Sequence, residues 1–188
     1  ADVIKPVIER EKARLDICYH KNNDSLITGA ASGLGYHIAR KLSAKGVKLV
    51  LVDRDIDSLR QKFNESGQIT LIHADLTEKA GLNKVIKEIR KNDRITNLFL
   101  VAGFGVRDLF STTSIDAQID MHRLLFEARL IISHEFMKRK PRLGFARIIL
   151  ISSSSAFQPL PFMSVYAASN SALLSFGRAL AFECKDKF

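Results

Sequence analysis

No run of eighteen or more apolar residues occurs in the chain, so hydropathy offers no membrane-spanning helix. The N-terminus, Ala1-Asp2-Val3 followed by Glu9, Arg10, Glu11 and Lys12, lacks the apolar stretch of a secretory leader. A soluble, cytoplasmic protein is the expectation. Cysteine is scarce: Cys18 and Cys184 stand far apart, in neither a Cys-x-x-Cys nor a metal-ligand spacing. No disulfide framework and no metal site are therefore expected. The 4 prolines are dispersed, and no internal repeat or low-complexity segment marks a linker. Basic segments interleaved with aromatics are also absent, so nucleic acid is not expected as a partner.

What is present is charge of one sign. A formal net charge of +9 and a pI near 9.7 favour anionic partners, phosphate-bearing cofactors among them. The charge is spread out, and only Lys138-Arg139-Lys140-Pro141-Arg142 is dense. That run reads as a solvated helix end.

At 188 residues with 46% hydrophobic content, the chain is long enough for one domain with a sizeable core. Short β-branched runs at 25–28, 48–52, 69–73, 97–101 and 147–152 alternate with longer segments of helical period. Leu82, Val85, Ile86 and Ile89 form the stripe of one amphipathic helix, and Leu34, Ile38 and Leu42 mark another. This alternation predicts an α/β fold, an open doubly wound parallel sheet covered by helices on both faces. Residues 1–24, rich in charge, read as an N-terminal extension to a dinucleotide-binding domain over 25–188.

The strongest local signal is Thr28-Gly29-Ala30-Ala31-Ser32-Gly33-Leu34-Gly35, which follows a strand and opens a helix. Glycines at Gly29, Gly33 and Gly35, with Ser32 and Leu34 between, allow a tight turn and a close approach to a pyrophosphate. Free N–H groups and the helix dipole then stabilise its charge. Asp53 ends the next strand, eighteen positions after Gly35, near the offset at which a carboxylate accepts from the adenosine ribose. A carboxylate there repels a 2′-phosphate and favours NAD, whereas Arg54 beside it is suited to such a phosphate and keeps NADP open. Asp55 is at least as good a helix cap as Asp53.

With this Gly-x-x-x-Gly-x-Gly turn the chain resembles the short-chain dehydrogenase/reductase family, over roughly residues 22 to 185. Asp75-Leu76 after the third strand is similar to the family's adenine-contacting pair. Ala102-Gly103 keeps the small pair that follows the fourth strand. Ser153 and Tyr166 stand thirteen positions apart, as the family's catalytic serine and tyrosine do, with Pro161 between them. The resemblance implies a Rossmann-like fold and hydride transfer between a nicotinamide and a small alcohol or carbonyl substrate. Tyr166 would move the proton and Ser153 would hold the substrate oxygen. It also implies a homodimer or homotetramer through the apolar helix over 165–182 and the one before it.

Four positions depart from the family pattern. Tyrosine titrates near about 10, too high for proton transfer at neutrality, and the family's lysine four residues on assists it. That position here is Asn170, a neutral amide able to hold a ribose hydroxyl but not to supply charge. Leu100 and Val101 replace two amides before Ala102-Gly103, and His122 falls at the family's catalytic asparagine position. The sequence ends at Phe188 without a visible counterpart of the family's later strand and substrate-covering segment; a listing cut short and a shortened relative both fit. Two functions follow: an oxidoreductase of impaired turnover, or a non-catalytic relative acting as a dinucleotide-binding or scaffold subunit. Docking of an acidic acyl carrier on the basic stretch over 138–147 is a third.

Overall fold

The computed structural model describes residues 23–139 and 146–184. Most of the expected N-terminal extension, with Cys18, lies outside the described residues, as do 140–145 and 185–188. Five strands, β1 (Asp24–Thr28), β2 (Leu49–Asp53), β3 (Ile69–His73), β4 (Ile95–Leu100) and β5 (Arg147–Leu150), pair in parallel in the order β3-β2-β1-β4-β5. Helices α1 (Gly33–Ala44), α2 (Ile56–Lys62) and α3 (Lys79–Lys91) follow the first three strands. After β4 comes one long helical segment: α4 (Ile115–His122), a π turn (Arg123–Glu127) and α5 (Ala128–Lys138). Helix α6 (Ser164–Glu183) follows β5.

Both faces of the sheet are covered, as the alternation of strand and helix predicts. On one face Leu26, Val50 and Leu98 pack with Val85 and Ile89 of α3 and Ile132 and Phe136 of α5. On the other, Ile27, Leu49 and Leu51 pack with Ala39 and Leu42 of α1 and with Leu59 and Phe63 at α2. Every residue of β1 is buried, which is why that strand reads as a run rather than an alternation. Chain order reverses beside β1, which has β2 on one side and β4 on the other. The two connections leave in opposite directions there and open a crevice at the strands' C-terminal ends.

Several boundaries differ from the sequence reading. β1 begins at Asp24, one residue early: its N–H donates to Arg94 O at 3.0 Å, and its carboxylate accepts from the Arg94 guanidinium at 3.3 Å and the Asn92 amide at 3.2 Å. β4 ends at Leu100, since the Thr28 hydroxyl accepts from the N–H groups of Val101 and Ala102 at 3.0 and 3.2 Å. β2 runs one residue further, to Asp53, which pairs with His73 of β3, and β5 stops at Leu150. On α1 the buried residues are Gly35, Ala39 and Leu42, while Leu34 is 51% exposed. Arg139 corrects the reading of a solvated helix end: it donates to Asn92 O at 2.7 Å and to Ile95 O, and stacks on Phe136. Burial lowers its pKa from the usual arginine value. Lys140, Pro141 and Arg142 of that basic run lie outside the described residues.

Candidate cofactor and active site

The crevice beside β1 is a cleft of about 380 Å³, within the usual range for small-ligand sites. Gly29, Ser32, Gly33, Leu34, Gly35, Asp53, Arg54, Asp75, Leu76, Ala102 and Gly103 all line it. These are the residues singled out from sequence for the cofactor, apart from Tyr166 and Asn170. Leu34 is exposed because it faces this opening rather than the sheet.

The glycine turn has its shape from two close approaches. A Cβ on Gly29 would stand 2.8 Å from the Ala102 backbone, and one on Gly35 would stand 2.0 Å from the carbonyl oxygen of Gly29. Gly33, at φ +51, has nothing within 4 Å of its Cβ position, so space there is open. Helix α1 begins at Gly33 with no side-chain cap from Ser32 and no acidic residue in its first turn. An uncapped helix start facing a cleft offers N–H donors and dipole to an anion, so the residues present fit a dinucleotide pyrophosphate.

Asp53 has a second duty that sequence alone does not reveal. One oxygen accepts from Ala31 N at 2.8 Å and the other from Asp55 N at 3.0 Å. Lys62 reaches from α2 to the opposite side of the same residue and donates to Ala31 O at 2.5 Å. Asp55, not Asp53, caps α2, accepting from Ser58 N at 2.9 Å. Asp75 takes the N–H and hydroxyl of Thr77 at 2.9 and 2.7 Å and so shapes the turn after β3. The Arg54 guanidinium lies 5.9 Å from the centre of the Phe104 ring, across the cleft mouth.

A second cleft adjoins the first and shares Val101, Gly103, Phe104 and Ile151 with it. Tyr166, Asn170, Ser152, Met163 and Arg129 complete most of its wall. Gly105 of the loop after β4 lies over Tyr166: a Cβ there would stand 3.4 Å from the tyrosine ring and 3.0 Å from Met163 Cε. Phe162 stands at φ 66 before α6, and its carbonyl accepts from Asp108 N at 3.0 Å, tying the two loops together. That left-handed conformation costs roughly 1–2 kcal/mol for a residue with a Cβ. Asn170 is buried and its amide donates to Tyr166 O at 2.9 Å, while the Ser152 hydroxyl bonds to its carbonyl groups. Ser153 does not line this cleft. Its hydroxyl accepts from Ser155 N at 3.1 Å, and it follows directly on Ile151 and Ser152, which do line it.

His122 also stays out of the cleft lining and points at α6, its Nδ1 standing 3.0 Å from Ser169 Oγ. Ser169 gives its one hydroxyl proton to Val165 O at 2.7 Å, so the histidine donates, through Nδ1–H. Beside it Phe126 of the π turn meets Phe176 edge to face, with ring centres 6.1 Å apart. Phe104 and Arg129 are the aromatic and the charged side chain of the clefts that the sequence reading does not single out. Phe104 directly follows the small pair and was readable as an aromatic at a cofactor's edge. Arg129 was signalled by a charge inside the apolar stretch 128–132.

Comparison with known proteins agrees with this geometry. A family profile described as short chain dehydrogenase matches residues 24–187. The 11-beta-hydroxysteroid dehydrogenase-like 3 of Arabidopsis thaliana is 34% identical over 165 residues, 84% of this chain and 53% of its own. A fatty acyl-CoA reductase of Acinetobacter baylyi is 31% identical, over 87% of this chain and 58% of its own. The chain thus spans a little over half the length of these curated relatives. Among solved structures, a bulky-bulky ketone specific alcohol dehydrogenase from Comamonas testosteroni superposes with TM-score 0.82 at 27% identity, over 89% of this chain and 70% of that one. A short-chain dehydrogenase from Sphingobium yanoikuyae in complex with NADPH gives 0.80 at 29% identity, over 88% and 66%. No helix among the described residues is long and apolar enough to cross a membrane.

Proposed function

Because the chain belongs to the short-chain dehydrogenase/reductase family, we propose that it is an NAD(P)-dependent oxidoreductase acting on a small alcohol or carbonyl compound. The observation that carries this reading is that the cleft holding Tyr166 continues directly from the cleft built on the glycine turn. The start of α1 would hold the pyrophosphate of a dinucleotide, Asp53 and Asp75 one of its nucleosides, and Ala102, Gly103 and Tyr166 the other. When bound, the nicotinamide would supply or accept hydride. Tyr166 moves the proton at the substrate oxygen, Ser153, next to the cleft-lining Ser152, is the serine that the family pattern assigns to that oxygen, and Asn170 orients the tyrosine's helix turn.

NAD is the favoured cofactor. The Asp53 carboxylate stands at the end of β2 on the cleft wall, and the guanidinium of Arg54, the charge suited to a 2′-phosphate, lies toward Phe104, 5.9 Å from its ring centre. Calorimetric titration is expected to show NAD binding at least about tenfold tighter than NADP, a modest effect for placing like charges together. Absorbance at 340 nm over a panel of bulky ketones, hydroxysteroids and simple alcohols then tests turnover. Binding of neither cofactor would sink the proposal.

A homodimer or homotetramer through α6 is part of the same reading. Phe182 on that helix is 80% exposed, and Phe157 and Phe162, just before it, are 70% and 54% exposed. Exposed aromatics of this size suit an interface. Sedimentation at micromolar concentration is expected to give a dimer or larger species; a monomer would count against it.

A further inference from the structure

Arg129 is a buried charge that the proton-transfer scheme above does not use. It is 4% exposed, on the first turn of α5, and it crosses the gap between the ends of two neighbouring strands. Its guanidinium donates to Ala102 O at 2.9 Å, just past β4, and to Ile151 O, just past β5. Gly103 makes room for it: a Cβ there would lie 3.3 Å from Arg129 Nη2 and 2.9 Å from Leu125. Among the described residues lining the Tyr166 cleft, Arg129 is the sole charged side chain. Two carbonyls take two of its five N–H groups, so each terminal nitrogen keeps another to donate.

Resting on the oxidoreductase reading, we propose that Arg129 is the cofactor-holding cation of this cleft, donating to the ribose of the nicotinamide nucleoside and supplying the charge that position 170 lacks. The placement follows from the crevice. Gly103 and Ile151 line both clefts and Ala102 the first, so they would lie along the second nucleoside of a dinucleotide, and they are the residues the guanidinium underlies or touches. Burial lowers the Arg129 pKa to about 10, and the neighbouring Tyr166 works in the opposite direction. The group is therefore cationic at neutral pH. Planarity and two anchoring carbonyls hold it in one orientation, so little entropy is lost when a ribose hydroxyl accepts from it.

Calorimetry with two probes, NADH and ADP, tests this on the full chain, because ADP lacks the nicotinamide nucleoside. Arg129→Gln is expected to weaken NADH by about tenfold or more, the value of a hydrogen bond from a charged donor, while ADP changes by less than about twofold. Arg129→Lys should retain most of the NADH affinity. Equal losses for both probes would show a structural role and overturn the proposal, as would no loss for either. Asn170→Lys gives an independent answer even if Arg129→Gln does not fold. With a cation already present it should gain less than about twofold in NADH affinity, whereas a gain of about tenfold would mean that the charge was missing. A wild-type chain that binds neither probe would sink the oxidoreductase reading itself, which is a different outcome from ADP binding with no response at position 129.

Discussion

Tyr166→Phe is expected to slow hydride transfer by about 10²–10⁴-fold, the usual contribution of a positioned proton donor. NADH affinity should fall by about tenfold at most, since one neutral hydrogen bond is at stake. Single-turnover absorbance at 340 nm measures the first and a fluorescence titration with NADH the second. The separation is the informative part. The tyrosine ring packs beneath Gly105 and its backbone carbonyl holds Asn170, and phenylalanine preserves both contacts. Unchanged turnover would remove Tyr166 from the chemistry.

Gly35→Ala should be the most damaging of the conservative changes at the glycine turn. Its Cβ would meet the carbonyl oxygen of Gly29 at 2.0 Å, and that atom belongs to a backbone already pressed against Ala102. Neither side has a rotamer through which to yield. A loss at or above the upper end of the ~1–3 kcal/mol seen for overpacking is expected. For a domain of this size that lowers the melting temperature by about 6–12 °C or prevents folding outright. Gly33→Ala is the control: with open space around it, only the strain of φ +51 is felt, on the order of 1–2 kcal/mol. Thermal melts of the two variants side by side check the order, and Gly33→Ala melting below Gly35→Ala would contradict it.

The fold was legible in the sequence because its signals are local and periodic. Val85 and Ile89 on α3 fall where the 3.6-residue stripe puts them, and buried strands such as 49–53 appear as β-branched runs. Strand ends were less legible, since what ends β4 is a hydroxyl on Thr28, more than seventy residues away in sequence. The glycine turn and its neighbours at Asp53, Asp75 and Ala102 come together in one cleft, again because the pattern of turn and strand is local. The deeper part of the site was hidden. Periodicity places Arg129 and His122 on faces of a regular helix, but the π turn between them admits an extra residue and shifts the phase of everything after it. Which of them enters the crevice depends on that irregularity, and no motif announces it. The Ser152 and Ser153 pair shows the same limit. A count of thirteen selects one serine, while side-chain direction after the strand decides which lines the cleft.

The carboxylate of Asp53 grips the Ala31 N–H while Lys62 grips the carbonyl of the same residue. In the proposed binding mode, ribose recognition and the geometry of the glycine turn are thereby thermodynamically linked through one side chain. The turn is pre-organised before any nucleotide arrives, so binding energy need not be diverted into ordering it. Linkage also works in reverse. A group that pushes Asp53 aside at the ribose loosens the Ala31 amide, and the disturbance reaches the pyrophosphate cradle. Discrimination at the 2′ position is then felt over the whole adenosine half of the cofactor, not at one hydroxyl.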